Sequence, residues 1–193
     1  MSVDWNLVFD EALAVRGATD HEIDRFRTEV TRPLSSAEVD EVNRSQRNPF
    51  RPGDPLYSHY RPFDPGTWTR PNTPLPALCF SFLRFSKGGE FRSGDRWLQF
   101  FPALDPDQGV RAMLLAYDVP QYMPGAMPFA FDGSGTFYMF DMRLLPVDGE
   151  YPIACAHAGN LEWDPRAYWT VANSFLGVCT GKADIYAIRR GGA

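Results

Sequence analysis

Residues Met127–Asp141 (MPFAFDGSGTFYMFD) carry the strongest structural signal in this chain. Two short aromatic runs flank Asp132–Gly135, a four-residue connector made of residue types that tolerate tight turns. Apolar runs separated by such a connector predict a β-hairpin. The second run, Phe137–Phe140, has almost no polar face, and a strand that is apolar on both sides is usually covered on both sides. The sequence therefore predicts a hairpin whose second strand lies centrally in a sheet.

The composition fits one globular domain. The chain has 193 residues, of which 44% are hydrophobic and 15% aromatic, which is enough for a sizeable core but too short for two domains. Its net charge of −5 argues against a general nucleic-acid-binding surface, because such a surface needs a basic patch. The charge suits a cationic partner, although it also serves ordinary solubility.

The cysteines Cys79, Cys155 and Cys179 are odd in number and form no C-x-x-C pair. This pattern indicates a reducing compartment rather than a disulfide framework. The first residues lack the basic and apolar regions of a secretion signal, and no apolar run approaches the length of a membrane span. We therefore expect a cytoplasmic protein that has no membrane partner.

Three helices are predicted before residue 48. Apolar residues within Trp5–Leu13 recur at i, i+3, i+4, i+7 and i+8, which places them on one face of a helix. The motifs Thr19-x-x-Glu22 and Ser35-x-x-Glu38 resemble capping boxes that begin the second and third helices.

Residues 48–74 are predicted to form an ordered loop that lies over the core. Seven prolines forbid regular structure there, yet the segment holds too many aromatic residues for a free linker. These aromatic residues are Phe50, Tyr57, Tyr60, Phe63 and Trp68. Packing accounts for most of the rings, and the functional alternative is that the loop presents them to a partner.

The segment after this loop mixes helix and strand signals. Leu75–Gly89 predicts a helix that begins after two prolines and stops at a Gly-Gly pair. Glu90–Arg92 and Arg96–Phe101 predict two strands. Asp105-Pro106 predicts the N-cap of another helix that extends to Tyr117.

The last third of the chain returns to strands before a final helix. Tyr151–His157 and Trp169–Ala172 predict strands, and Asn173 or Ser174 is a candidate cap for a helix that Gly181 closes. The last five residues, Arg189–Ala193, are expected to fray. Strands grouped in the middle with helices at both ends predict a single α+β domain with a central, mainly antiparallel sheet.

Three motifs in this order resemble those of the SUKH superfamily, which groups bacterial toxin-immunity proteins with a fungal regulator of cell-wall synthesis. The first is a helix that opens with Leu-Pro, carries Phe-Leu and ends before Gly-Gly; the second is a Pro-Phe-Ala hairpin that ends in Asp; the third is Ala-x-Ser-Phe. They correspond here to Leu75-Pro76, Phe82-Leu83, Lys87-Gly88-Gly89, Pro128–Asp141 and Ala172–Phe175. Two positions depart from the family pattern, because Cys79 replaces an aromatic residue and Lys87 replaces Asn.

The resemblance covers residues 34–181, a segment that includes the loop 48–74. It implies that residues 1–33 are an added helical extension packed on this domain and that residues 182–193 are a C-terminal tail. It also implies a non-enzymatic, partner-binding protein with no catalytic residues and no cofactor. The expected function is that of an immunity protein, which neutralises a toxin, often a nuclease, by direct binding. The alternative is a housekeeping scaffold or regulatory interaction protein, as the fungal relative suggests.

The residues themselves reveal no pattern typical of catalysis or metal binding. His21, His59 and His157 have no metal-ligand companion at short spacing, so no metal site is expected. The Asp132 turn does not continue as a calcium loop, since its sixth position is Phe137 and not Gly. An enzyme of unrecognised type remains a third hypothesis, and it would need a polar cleft with shifted acid or base groups.

Six residues are candidate contacts with a protein partner. Three aromatic residues come from the proline-rich loop, and three acids come from predicted turns, where they could steer a basic partner to the surface. The six are Tyr57, Tyr60, Trp68, Asp132, Asp148 and Glu150.

Overall fold

The computed structural model of the protein describes residues 3–45, 48, 50–64, 74–143 and 145–191. Within these residues seven strands form one antiparallel sheet in the order β1 to β7, and helices pack on both of its faces. The strands are β1 (Glu11–Ala14), β2 (Gly89–Ser93), β3 (Arg96–Phe100), β4 (Ala126–Phe131), β5 (Thr136–Asp141), β6 (Ile153–His157) and β7 (Tyr168–Ala172). The helices are α1 (Asp20–Thr31), α2 (Ser36–Ser45), α3 (Ala77–Phe85), α4 (Val110–Ala116), α5 (Val119–Tyr122), α6 (Phe175–Thr180) and α7 (Ile185–Gly191). The predicted α+β class is confirmed.

Strands β4 and β5 form the predicted hairpin. The carboxylate of Asp132 accepts hydrogen bonds from the backbone N–H groups of Ser134 and Thr136, both at 2.8 Å, and thereby closes the turn. Strand β5 lies between β4 and β6, and the side chains of Phe137–Phe140 are fully buried. The prediction of a strand covered on both faces is therefore confirmed.

One face of the sheet is covered by α3 and α6 through a cluster of aromatic rings. Phe175 of α6 lies at the centre of this cluster, with its ring centroid 5.8 Å from that of Phe82, 6.0 Å from that of Phe100 and 5.7 Å from that of Phe140. Edge-to-face and tilted contacts of this kind add to the free energy gained by burial.

The opposite face is covered over only part of its width. Helices α4 and α5 pack on β4, and Tyr117 at the end of α4 lies against Phe131 and Phe137. Over β2 and β3 the same face carries the exposed side chains of Arg92 and Gln99. The sheet therefore has a buried half and an open half on this side, and strand β1 borders the open half.

The helix predicted over Trp5–Leu13 is wrong. The chain instead forms a 3₁₀ turn at Trp5–Leu7 and then strand β1, which pairs with β2 as an edge strand. Trp5 is buried, and its indole N–H donates to Ser81 Oγ at 3.0 Å. A sheet edge offers a row of backbone hydrogen bonds to any segment that can reach it, so tertiary pairing overrides the helical pattern here.

Strand β1 packs closely against Gly89, the second glycine of the Gly-Gly pair, because this residue has no side chain. Gly89 has φ +108°, and a Cβ atom placed on it would lie 2.4 Å from the carbonyl oxygen of Leu13. Lys87 is not among the residues with positive φ, so the pair Gly88 and Gly89 takes this conformation. Gly89 thus allows the pairing of β2 with β1, in addition to ending the segment after α3.

Helices α1, α2 and α3 begin where the local sequence signals predicted them. Thr19 and Glu22 form the predicted capping box, with Thr19 N–H donating to Glu22 Oε2 at 2.8 Å. The residues of α1 that face the core are Ile23, Phe26 and Val30. Ser35 and Glu38 exchange the same pair of contacts before α2. The first helical turn of α3 follows Pro76, as predicted.

Two other local predictions are wrong. Asp105 does not cap α4, which begins five residues later at Val110; its carboxylate instead accepts the N–H groups of Asp107 and Gln108 within a separate turn. Residues 189–191, within the segment expected to fray, instead form the end of helix α7, which is fixed to the sheet through Ile185: its side chain is buried, and its carbonyl accepts the indole N–H of Trp169 at 3.0 Å. The domain boundaries at residues 33 and 181 stay a prediction.

Candidate functional site

The proline-rich loop is anchored to α2 through Phe63. The ring of Phe63 is buried, its N–H donates to Asn43 Oδ1 at 2.7 Å, and its carbonyl accepts from Asn43 Nδ2 at 3.4 Å. Tyr57 lies on a 3₁₀ turn with an exposed side chain, whereas Tyr60 is partly buried. Trp68 lies outside the described residues. Of the two aromatic candidates that the structure describes, Tyr57 is therefore the more exposed.

Asp132 is occupied by contacts within the protein. Its Oδ2 accepts from the hydroxyl of Ser134 at 2.6 Å and from the hydroxyl of Tyr186 on α7 at 2.9 Å. The Tyr186 hydroxyl also lies 2.7 Å from Thr136 Oγ1. Burial alone would raise the pKa of Asp132, but these hydrogen bonds and those from the backbone outweigh it and lower the pKa. This acid fastens the terminal helix to the hairpin turn.

Asp148 and Glu150 belong to a tight turn between β5 and β6. Asp148 and Gly149 both have positive φ, at 52° and 77°, and Val147 and Glu150 exchange both backbone hydrogen bonds at 2.9 Å. The Glu150 carboxylate accepts the N–H of Phe175, the first residue of α6, at 2.9 Å. Burial raises the pKa of Glu150, an effect that this hydrogen bond only partly offsets. Asp148 is exposed, whereas Glu150 supports the start of α6.

The described candidates do not form one site. The Asp132 turn precedes β5 and the Asp148 turn follows it, so the two turns lie at opposite ends of this strand. Tyr57 lies on the loop anchored at α2. A single partner surface would therefore include some of the six residues and not others.

The structure has an open sheet edge in a segment for which the sequence predicted a helix. All four residues of β1 are exposed, and β1 is the terminal strand of the sheet. Leu13 is 70% exposed, and Leu7 ahead of it is 83% exposed. We call residues 7–15 the N-terminal edge. The helical spacing of its apolar residues concealed it, because that spacing predicted a buried face.

A groove between α5 and the loop after β6 was also missed. It has a volume of about 670 Å³ and is bordered by Tyr117 and Tyr122 on one side and by residues 158–162 on the other. Trp163 fixes this loop beside α5, since its indole N–H donates to the carbonyl of Pro124 at 2.9 Å. The two walls are separated by about forty residues in the sequence, a distance over which no local pattern operates.

The three cysteines are buried and free. Burial raises the pKa of the Cys79 thiol to about 12 and also raises the pKa values of Cys155 and Cys179. A thiol with such a pKa stays protonated near neutral pH and is a poor nucleophile. Among the residues that the structure describes, no three His, Cys, Asp or Glu side chains are grouped so that they could hold a metal ion. No described helix combines the length and apolar character needed to span a membrane.

The chain matches no protein-family model, and a search of curated proteins returned no match.

Proposed function

We propose that this protein is a non-enzymatic binding protein, and that it acts in the cytoplasm as an immunity protein that neutralises a toxin by direct binding. The resemblance of its three sequence motifs to the SUKH superfamily supports this proposal. The structural observation that carries it is the N-terminal edge, where an exposed strand borders the open half of the sheet.

An edge strand is suited to bind a protein segment. Its outer side presents backbone N–H and C=O groups to which an extended chain can add as a further strand. Leu13 and Glu11 project to the same face of β1, because they alternate with Ala12 and Ala14. The exposed Leu13 side chain would supply apolar contact area next to the backbone hydrogen bonds, whereas the Glu11 carboxylate is already paired with Arg92 at 3.3 Å.

The charge of the whole chain favours a basic partner. Its net charge of −5 would speed association with a cationic surface through long-range attraction. A nuclease toxin is a partner of this kind, because it must bind the phosphate backbone of nucleic acids with basic side chains. A nuclease is therefore the toxin class that we propose for this protein.

Co-expression with a toxic protein encoded next to this chain tests the proposal. We expect the wild-type chain to restore growth, and the purified pair to form a complex. Leu13→Asp should raise the Kd about tenfold or more, because it places a charge in the edge contact. Leu145→Asp is the matched control, since Leu145 is similarly exposed but lies on the loop after β5, and it should leave the Kd unchanged.

The outcomes separate the candidate functions. Failure to neutralise any neighbouring toxic protein would contradict the immunity function. A stable complex with a non-toxic protein in unstressed cells would favour the alternative, a housekeeping scaffold or regulatory protein. Neutralisation that is equally sensitive to Leu13→Asp and Leu145→Asp would contradict the assignment of the contact to the N-terminal edge.

A further inference from the structure

The groove beside α5 combines aromatic and acidic groups. Tyr117 is 37% exposed and Tyr122 is 49% exposed, so both rings offer a face or an edge to a ligand. Asp118 lies between them in the chain, and Glu162 borders the groove from the facing loop. None of the described residues that line the groove is basic. The groove is therefore a polar, negatively charged recess with aromatic sides.

The walls of this recess are held in place before any ligand arrives. The Tyr117 ring packs edge-on against Phe137, with centroids 4.9 Å apart. The backbone carbonyl of Asp118 accepts the N–H groups of Gln121 and Tyr122 at 2.9 and 3.1 Å, which fixes the start of α5. A preformed site loses less conformational entropy on binding than a flexible one.

The charged side chains that line the groove are both acids. Asp118 and Glu162 carry carboxylates, which accept hydrogen bonds when ionised and do not donate them. Gln121 also lines the groove, but its amide oxygen is buried, so a ligand cannot reach it without a movement of the lining. The charged groups of this recess therefore favour a ligand that donates hydrogen bonds.

We propose that this groove receives an arginine-bearing segment of a protein partner; the inference rests on the proposed protein-binding function. A planar guanidinium stacks on the face of a tyrosine ring and donates two parallel hydrogen bonds to a carboxylate. The ammonium of lysine is a compact charge that cannot form this bidentate pair and stacks less favourably. A phosphate or another anion would be repelled by Asp118 and Glu162, and a purely apolar segment would leave their charges desolvated. The volume of about 670 Å³ accommodates several residues around the arginine.

A titration with a defined probe tests this site without any toxin. The probe is the peptide acetyl-Gly-Arg-Gly-amide, and its control is the same peptide with citrulline, which keeps the shape of arginine but carries no charge. We expect saturable chemical-shift changes of the backbone amides at residues 117–119, 121–122 and 158–162 with the arginine peptide. The citrulline peptide should bind about tenfold more weakly, which corresponds to about 1.4 kcal/mol.

Variants locate the interaction. Glu162→Gln and Asp118→Asn should each weaken binding of the arginine peptide several-fold, and Asn tolerates the left-handed conformation of residue 118. Glu41→Gln changes an exposed acid on α2 that does not line the groove, and it should leave the affinity unchanged. Equal binding of the two peptides, or the absence of saturable shifts at the groove in the folded protein, would overturn the proposal.

The same variants distinguish this inference from the proposed function. If a toxin is neutralised and its Kd is unaffected by Glu162→Gln, the groove assignment fails while the immunity function stands. If the arginine peptide binds at the groove but no neighbouring toxic protein is neutralised, the groove assignment stands and the immunity function fails.

Discussion

Arg111 on α4 donates two parallel hydrogen bonds to the carboxylate of Glu38 on α2, from Nε to Oε1 at 2.7 Å and from Nη2 to Oε2 at 2.9 Å. Arg111 Nη1 also donates to the carbonyl oxygens of Glu29 and Arg32, at 2.8 and 3.2 Å, and so satisfies acceptors at the end of α1. Because Arg32 binds the same carboxylate, one acid and two arginines join the consecutive helices α1 and α2 to α4, whose Arg111 is 73 positions away from Glu38 in the sequence.

Removing Arg111 should destabilise the protein substantially. Arg111→Met keeps much of the side-chain volume but leaves the α1 carbonyls and part of the Glu38 carboxylate without donors. We expect the free energy of unfolding, measured by urea denaturation, to fall by about 2–4 kcal/mol. The control Arg44→Met breaks a pair with Glu41 that is exposed on both sides, and its effect should stay within about 0.5 kcal/mol. Equal losses for the two variants would contradict the structural role of Arg111.

The same cluster predicts how stability depends on pH. Hydrogen bonds from Arg111, and then from Arg32, hold the pKa of Glu38 well below its usual range, although partial burial opposes them. An unfolded Glu has a pKa near about 4.3, so at neutral pH both states are ionised and the stabilisation is fully present. As the pH falls through about 4, the unfolded state takes up a proton that the folded state does not, and stability is lost.

Glu38→Gln should therefore flatten the acid limb of the stability curve. Urea denaturation at a series of pH values below about 5 should show a smaller loss of stability for this variant than for the wild type. Glu41→Gln changes an exposed acid on the same helix and should leave the slope of the curve unchanged. A wild-type slope in the Glu38→Gln variant would show that another acid is responsible.

The hydroxyl of Tyr186 should stabilise helix α7. Tyr186→Phe removes the group that contacts Asp132 Oδ2, Ser134 Oγ and Thr136 Oγ1. We expect a loss of about 1–2 kcal/mol, together with faster amide hydrogen exchange in Ile185–Gly191. Tyr57→Phe, at an exposed tyrosine, should change neither quantity. Unaltered exchange in α7 of the Tyr186→Phe variant would show that apolar packing alone holds this helix.

Gly89 should be indispensable for the docking of β1. Gly89→Ala adds a Cβ atom that would meet the Leu13 carbonyl oxygen, in addition to the strain of a positive φ. Gly53→Ala is the matched control, since Gly53 has φ +95° but has no atom within 4 Å of the added Cβ. The control isolates the conformational strain, which costs about 1 kcal/mol.

We expect Gly89→Ala to cost about 2–3 kcal/mol and to expose residues 11–14 to amide exchange. If the two alanine variants lose the same stability and β1 keeps its protection, the close approach of Leu13 to Gly89 does not constrain the sheet.

Short-range signals in the sequence predicted several elements correctly. The Asp132–Gly135 turn, the capping box at Thr19 and the Gly-Gly stop after α3 each depend on contacts between residues a few positions apart. Such contacts form between near neighbours in the sequence, so the residue types that make them can be recognised without knowledge of the tertiary structure. The burial of Phe137–Phe140 was predictable for the same reason, because a run without a polar face needs cover on both sides.

Signals of the same kind failed where a distant segment supplied a better partner. The apolar spacing of Trp5–Leu13 is helical, but pairing with β2 gives its backbone a ladder of hydrogen bonds some eighty positions away in the chain. No local signal predicted helix α7, yet the Tyr186 hydroxyl of this helix donates to Asp132 on the β4–β5 turn. Neither pairing can be inferred from one of its halves alone.

The sequence by itself determined the α+β class, the central hairpin and the caps of the first helices, because each is specified by neighbours along the chain. Tertiary structure alone decided which surfaces stay open. The N-terminal edge is exposed because β1 is the last strand of the sheet, and the α5 groove exists because Trp163 holds a distant loop beside Tyr122. Which residues stay exposed depends on all the long-range contacts of the fold, so no local sequence pattern can specify these surfaces.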